Sequence, residues 1–246
     1  MSKLTKTALI MLGAGAILCV IAYFMVGGDW TGFNSKGGDR VARSYESKDA
    51  VTSILIEESA NEINVVTADT DKVTIDYYDE VEKPIYEITE ENGKLVFTRS
   101  GRPSFRLVNI DFSRKDVTIT IPSDYKGEFT LELASGSFTA KDVTASKVRI
   151  ENTSGSVVLT NVTSLGDVDI ENTSGSVEFT DLKADGDISI GNVAGSVEGS
   201  IDGSENDFSI TSESVAGSSN LRNSTGGRQK LEAGNTAGSI EVEFTK

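Results

Sequence analysis

An eight-residue string, Ile-Glu-Asn-Thr-Ser-Gly-Ser-Val, occupies residues 150–157 and returns unchanged at 170–177. A looser element, a small residue followed by Gly-Ser, recurs with its glycine at Gly136, Gly155, Gly175, Gly195, Gly217 and Gly238. The intervals between these glycines are 19, 20, 20, 22 and 21 residues. A fixed period of this size restricts a chain to repeat architectures. Within each period apolar residues alternate with polar ones, as in VRI (148–150), VDI (168–170), VVL (157–159) and VEF (177–179). That is strand periodicity, and no helical pattern follows residue 50. A two-strand unit cannot bury its own apolar face, whereas stacking unit on unit makes a continuous core. The expected fold is therefore all-β, a β-solenoid or β-helix-like stack whose rungs are about 20 residues long.

Each rung has to turn at the same place, and the six glycines supply that turn, through backbone freedom or through room for close approach. Asn152, Asn172, Asn192 and Asn235 each stand three residues before one of these glycines. Stacked at one level, they form an asparagine ladder. The distance from the last apolar residue to the glycine is five positions at Ile150, Ile170, Ile190 and Ala233, but seven at Ile210 and three at Leu133. Both departures are even, so the inward face of the strand is kept. Residues 134–246 are read as the repeated rungs. Residues 51–133 are read as less regular strands and hairpins that cap the stack. Among them Asn92-Gly93 marks a tight hairpin, and the strand 117–122 ends at Pro122, which cannot donate to a ladder.

Residues 8–26 run without a charged side chain. As a helix they would span about 28 Å, close to the hydrocarbon thickness of a bilayer. Lys3 and Lys6 precede the run and Asp29 follows it. The positive-inside rule puts residues 1–7 in the cytoplasm and the domain outside the cell. The sequence therefore predicts an uncleaved transmembrane helix from Ala8 to Val26, then a flexible spacer over 27–50. The formal net charge of the chain is −15, which disfavours nucleic acid as a partner and favours cationic ones, including cationic peptides.

Chemistry is thinly represented. The chain has no histidine, and its single cysteine, Cys19, lies in the apolar run. This removes the usual general base near neutral pH and any disulfide framework. Asp181, Asp185 and Asp187 lack the spacing of a calcium loop and read as a turn. The reading is of a chain that is not an enzyme, with no catalytic, cofactor or metal residues. Arg99, Arg102, Arg106, Arg114 and Lys115 form the main basic cluster and are a candidate docking patch.

The segment VTITIPSDYKGEFTLELASGSF (117–138), followed by repeated I-x-N-x-x-G-S-V units, resembles the bacterial putative-adhesin β-strand-repeat family, a domain of unknown function. The resemblance covers about residues 50–244. It implies a single-pass protein of the cell membrane, in a Gram-positive bacterium, with the repeat domain extracellular. It also implies a link to cell-envelope stress, and it brings no catalytic residues with it. The expectation is an envelope interaction module that binds a protein or cell-wall partner. The alternative is a surface adhesin binding an external ligand.

Overall fold

In the computed structural model the described residues are 40–82, 84–99 and 116–246. The membrane-spanning segment expected at 8–26 lies outside them, as do residues 1–7. Among the described residues no helix is long and apolar enough to cross a membrane. Strands dominate these residues, with one short 3-10 turn at Glu205–Asp207. In chain order the first are β1 (Arg40–Glu46), β2 (Ser53–Glu58), β3 (Ile63–Ala68), β4 (Thr74–Glu80), β5 (Tyr86–Glu91), β6 (Lys94–Arg99) and β7 (Val117–Pro122). The middle rungs follow as β8 (Glu128–Leu133), β9 (Phe138–Lys141), β10 (Thr144–Ala145), β11 (Lys147–Ser154), β12 (Val157–Thr160), β13 (Thr163–Ser164), β14 (Val168–Ser174) and β15 (Val177–Ala184). The last are β16 (Ile188–Ala194), β17 (Val197–Ile201), β18 (Phe208–Ala216), β19 (Gln229–Ala237) and β20 (Ile240–Phe244).

Two long sheets face each other across one core. One runs β18-β19-β16-β14-β11-β8-β2-β6-β5. The other runs β1-β4-β7-β3-β9-β12-β15, continued by β17 and β20. A short third ladder joins β10, β13 and the end of β15. Neighbouring rungs pair in parallel and in register, so Ile150 lies beside Ile170, and Ile170 beside Ile190. Leu95, Ile54, Phe129, Val148, Val168, Ile188, Leu231 and Ile210 form one inward column of the first sheet, side by side in that order. Burying a side chain such as Ile150 stabilises the fold by about 1.5–3 kcal/mol. In the other sheet one inward column reads Ala140, Leu159, Phe179, Gly199 and Val242, with the glycine beside the largest side chain. A Cβ at Gly199 would stand 2.1 Å from the Phe179 carbonyl oxygen and 2.5 Å from its ring.

The order of rungs in the stack is not their order in the chain. After β17 the chain goes to the far end and lays down β18. It then returns, so that β19 and β20 fill the place between β16–β17 and β18. The same happens at the other end. The β2–β3 rung comes first in the chain, yet β6 and β7 lie on one side of it and β8 and β9 on the other. Parallel register therefore extends N-terminal to residue 134 and takes in residues 53–68.

Two sequence expectations are corrected here. The rungs at Leu133 and Ile210 are not irregular. Register puts Leu131, not Leu133, beside Ile150, and Ser212, not Ile210, beside Ala233. Leu131 to Gly136 and Ser212 to Gly217 are then five positions, as in every other rung. What varies is the residue at the ladder level, Leu133 at one end and Ser214 at the other. The spacer expected over 27–50 is also not all spacer. Residues Arg40–Glu46 form an antiparallel edge strand on β4. They are held there because Tyr45 packs against the core and donates to Glu90 at 2.7 Å. The buried Ser47 hydroxyl accepts the Val73 N–H at 3.1 Å. The hairpin between β5 and β6 forms as expected, with Asn92 at φ 52 and Gly93 at φ 76.

Candidate binding surface

The repeated residues build the scaffold. At the corner between the two sheets, a Cβ on Gly155 would lie 1.8 Å from the Gly136 carbonyl oxygen, and one on Gly175 would lie 2.2 Å from that of Gly155. The contacts continue from Gly195 to Gly175, Gly238 to Gly195 and Gly217 to Gly238, tracing the stack order. Five of the six corner glycines also have a positive φ, between 119° and 138°. Gly217 is the exception and is required by close approach alone. A second corner uses Asp142, Asn161 and Asp181, all near φ 55. These residue types tolerate that conformation because their short side chains bond locally. The Asp181 turn is thus a repeated corner of the solenoid, and Asp187 accepts the Lys230 N–H at 2.8 Å on the next rung.

The asparagine ladder is present inside the core. Asn152 donates to Asn172 and Asn172 to Asn192, each at 3.1 Å, and each of these donors also reaches the corner glycine carbonyl of its own rung at 3.0 Å. Asn235 lies beside Asn192 in register but donates to the Gly195 carbonyl at 2.7 Å. The column continues beyond the asparagines. Leu133 stands next to Asn152, and Glu58 next to Leu133.

Glu58 explains where Arg99 goes. Its carboxylate is buried and accepts the N–H groups of Ser59 at 2.6 Å and Ala60 at 3.0 Å. It also receives Arg99 Nη1 at 3.0 Å. The neighbouring Tyr86 hydroxyl accepts Asn61 Nδ2. Burial first, then the negative charge of Glu58, pushes the Tyr86 phenol well above its usual range. Arg99 is therefore committed to a buried carboxylate. Arg102, Arg106, Arg114 and Lys115 lie outside the described residues, so the candidate docking patch is described only at its first member.

The outward side chains make the surface a partner would meet, and register sorts them into columns. On the sheet that ends in β18, one column reads Glu57, Glu132, Glu151, Glu171, Gly191, Gly234, Glu213. The next column toward the corner contains Thr173, Val193, Thr236 and Val215. Among the described large apolar residues Val215 is the most exposed, at 79%, and Val193 the third, at 48%. The missing side chains of Gly191 and Gly234 leave a depression of about 360 Å³ with these valines at its wall and Glu171 and Glu213 at its ends. On the opposite sheet a second depression, of about 550 Å³, is bordered by Glu198, Glu241 and Glu243 together with Ser218, Ser219 and Asn220. Arg149 sits on the first face between Glu151 and Asp169 and is paired with both. Neither depression was visible as such in the sequence. Its only signal for the first was that Glu in the repeated octapeptide gives way to Gly in GNVAGSV (191–197) and GNTAGSI (234–240).

These rungs, corners and columns can be compared with known proteins. The Toastrack DUF4097 family matches residues 51–246. The chain belongs to this family. The Toastrack domain thus takes in all the strands from β2 onward. No curated protein matches the chain. Among solved structures it is similar to one described as a "putative cell adhesion protein" from Clostridium sporogenes, at 16% identity and a TM-score of 0.56. That similarity covers 85% of this chain and 100% of the other and shows a shared fold. A "putative adhesin" from Bacteroides fragilis is similar over 84% of this chain and 98% of its own, at 12% identity and a TM-score of 0.42.

Proposed function

We propose that this Toastrack chain is a membrane-anchored, extracytoplasmic interaction module of the cell envelope that works by binding and not by catalysis. The observation that carries this reading is the register itself. Side chains on the two broad faces are fixed at strand spacing, about 4.8 Å apart, over a core whose rungs are locked by glycine corners and an asparagine ladder. A surface held so rigidly loses little entropy when a partner docks. Its acidic columns favour a partner with basic groups. The apolar run at 8–26 supplies the tether, and the family resemblance supplies the link to envelope stress. A second reading, a surface adhesin with an external ligand, is favoured by the description of the Clostridium protein that shares the fold.

Crosslinking of the full chain in its own membrane, with and without a cell-wall antibiotic, tests the choice. Capture of another envelope protein, in an amount that changes with the antibiotic, is the expected result. Absence of any envelope partner under both conditions would contradict the module and leave the adhesin.

A further inference from the structure

We propose that the trough over Gly191 and Gly234 is a docking site for an extended segment of a protein partner, in which two basic side chains four residues apart flank an aromatic one. This rests on the reading of the chain as a binding module and names the chemistry of what it binds. A glycine inside a strand weakens that strand. Strand glycines mark a bulge, a tight bend or a close approach by another backbone or ligand. No bulge exists here, because register runs unbroken from Ile188–Leu231 to Asn192–Asn235. Neither glycine has a positive φ. Within the chain no close approach requires them, unlike Gly199 against the Phe179 ring. A Cβ on Gly191 would meet only the Ile170 carbonyl oxygen at 4.0 Å, and one on Gly234 would meet nothing within 4 Å. An approach from outside is what remains.

The surroundings describe the visitor. Across four neighbouring strands the order at this level is Glu171, Gly191, Gly234, Glu213. Among the described residues neither of these carboxylates makes a salt bridge or a hydrogen bond, whereas Glu151 and Asp169 nearby are paired with Arg149. Glu171 and Glu213 lie three strand spacings apart, about 14 Å. In an extended chain, residues four apart are about 13 Å apart and point the same way. A segment lying across the rungs therefore brings one cation to each acid and sets its middle side chain over the glycines. The depression there, about 360 Å³, takes a large side chain. The exposed Val193 and Val215 form one wall of it. An aromatic ring suits both surfaces, since its apolar face covers bare glycine backbone and packs on valine methyls.

Charge and length set this occupant apart from others. The same column carries Glu57, Glu132 and Glu151, and the chain has a net charge of −15. A second copy is repelled by that face, while a basic partner is drawn to it. The column attracts, and the glycine gap fixes where the partner stops. A helical partner does not span the site, because helix residues three or four apart stand only about 5–6 Å from each other. The extended conformation is what reaches both acids.

Fluorescence anisotropy with the full chain in uncharged detergent micelles tests this. The probe is the capped, dye-labelled peptide Lys-Thr-Phe-Thr-Lys. The wild type is expected to bind it saturably, and about tenfold or more tightly than Lys-Lys-Phe-Thr-Thr, which has the same composition in another order. The double variant Gly191→Thr/Gly234→Thr is expected to bind about tenfold or more weakly. Its thermal midpoint should be unchanged or raised, because both new side chains have open space and suit a strand. Glu171→Gln/Glu213→Gln is expected to lose as much. Glu57→Gln/Glu132→Gln, on the same column but outside the trough, should change affinity by no more than about twofold at about 0.15 M salt, where exposed charges more than about 8 Å away are largely screened. A wild type that does not bind the probe would overturn the proposal. So would equal binding of the two peptides, a trough-filled variant that binds like the wild type, or equal losses from the two pairs of glutamine substitutions. Crosslinking reads the wider claim separately. Without peptide binding an envelope partner can still be captured through another surface, and with peptide binding but no envelope partner the trough stands while the envelope module falls.

Discussion

The middle rungs and the two ends of the stack solve the same problem with different residues. From Lys147 to Ile201 each rung is held to the next by one repeated set, a corner glycine, a ladder asparagine and a core isoleucine or valine. At the ends the set is replaced. Toward β5 and β6 the ladder level passes through Leu133 to the buried Glu58, which is neutralised by Arg99. Toward β18 it ends at Ser214, and the outer edge of that strand is closed by a reciprocal backbone pair between Ile210 and Ser224 at 3.0–3.1 Å. Ser212 N–H adds a bond to Asn223 Oδ1 at 2.7 Å. A rung in the middle has a copy of itself on both sides, so an identical residue can serve all of them. A terminal rung has no such neighbour, and its exposed polar groups need partners found once only.

The comparison can be broken at the middle first. Gly175→Ala places a side chain 2.2 Å from the Gly155 carbonyl at a φ of 119°. A destabilisation of about 3 kcal/mol or more is expected from the backbone strain and the clash together, measured by urea unfolding. Asn172→Ala removes one bond from Asn152, one to Asn192 and one to Gly175. At about 1 kcal/mol each, the expected loss is about 3 kcal/mol. Equal stability of wild type and either variant would show that the repeated residues are not what locks the rungs.

At the N-terminal end Arg99→Ala leaves the Glu58 carboxylate buried without its cationic partner. The expected cost is about 2 kcal/mol, less than at Asn172, and it should fall further in Glu58→Gln/Arg99→Ala, where no charge remains to be neutralised. The smallest effect is expected at Glu90. Burial raises its pKa, but the N–H groups of Lys48 and Asp49 and the Tyr45 hydroxyl outweigh that and hold it below the ordinary value. The folded state therefore binds the proton less well than the unfolded chain. This contribution is fully present above the ordinary carboxylate pKa of about 4.3 and is lost as the pH falls through the lower folded value. Acid titration of Glu90→Gln should lack that part of the slope.

Legibility followed the same division. Corner glycines and ladder asparagines could be read because a repeat writes the same requirement several times. The even offsets at Leu133 and Ile210 looked like irregular rungs because the ladder asparagine is absent there, and counting back from the last apolar residue then starts two positions late. The swapped order of β18 and β19 left a trace that was available: Asn192 and Asn235 both carry the ladder residue, and the rung between them in sequence does not. Glu58 and Arg99 left none, since a lone acid and a lone base 41 residues apart look like any other surface charges. The trough was partly written, as Gly191 and Gly234, but their adjacency depends on the swap.

That swap is the claim on which the trough rests. If rungs stacked in chain order, Gly191 would lie beside Glu213 and the depression would not exist. Cysteine pairs at outward positions of the same level decide it, in a chain with Cys19 replaced by serine. Ser189→Cys with Glu232→Cys joins register partners about 4.8 Å apart, within disulfide range. Ser189→Cys with Thr211→Cys joins positions two spacings apart, about 10 Å, beyond it. Mild oxidation is predicted to close the first pair and leave the second open, and closure of the second in place of the first would contradict the account.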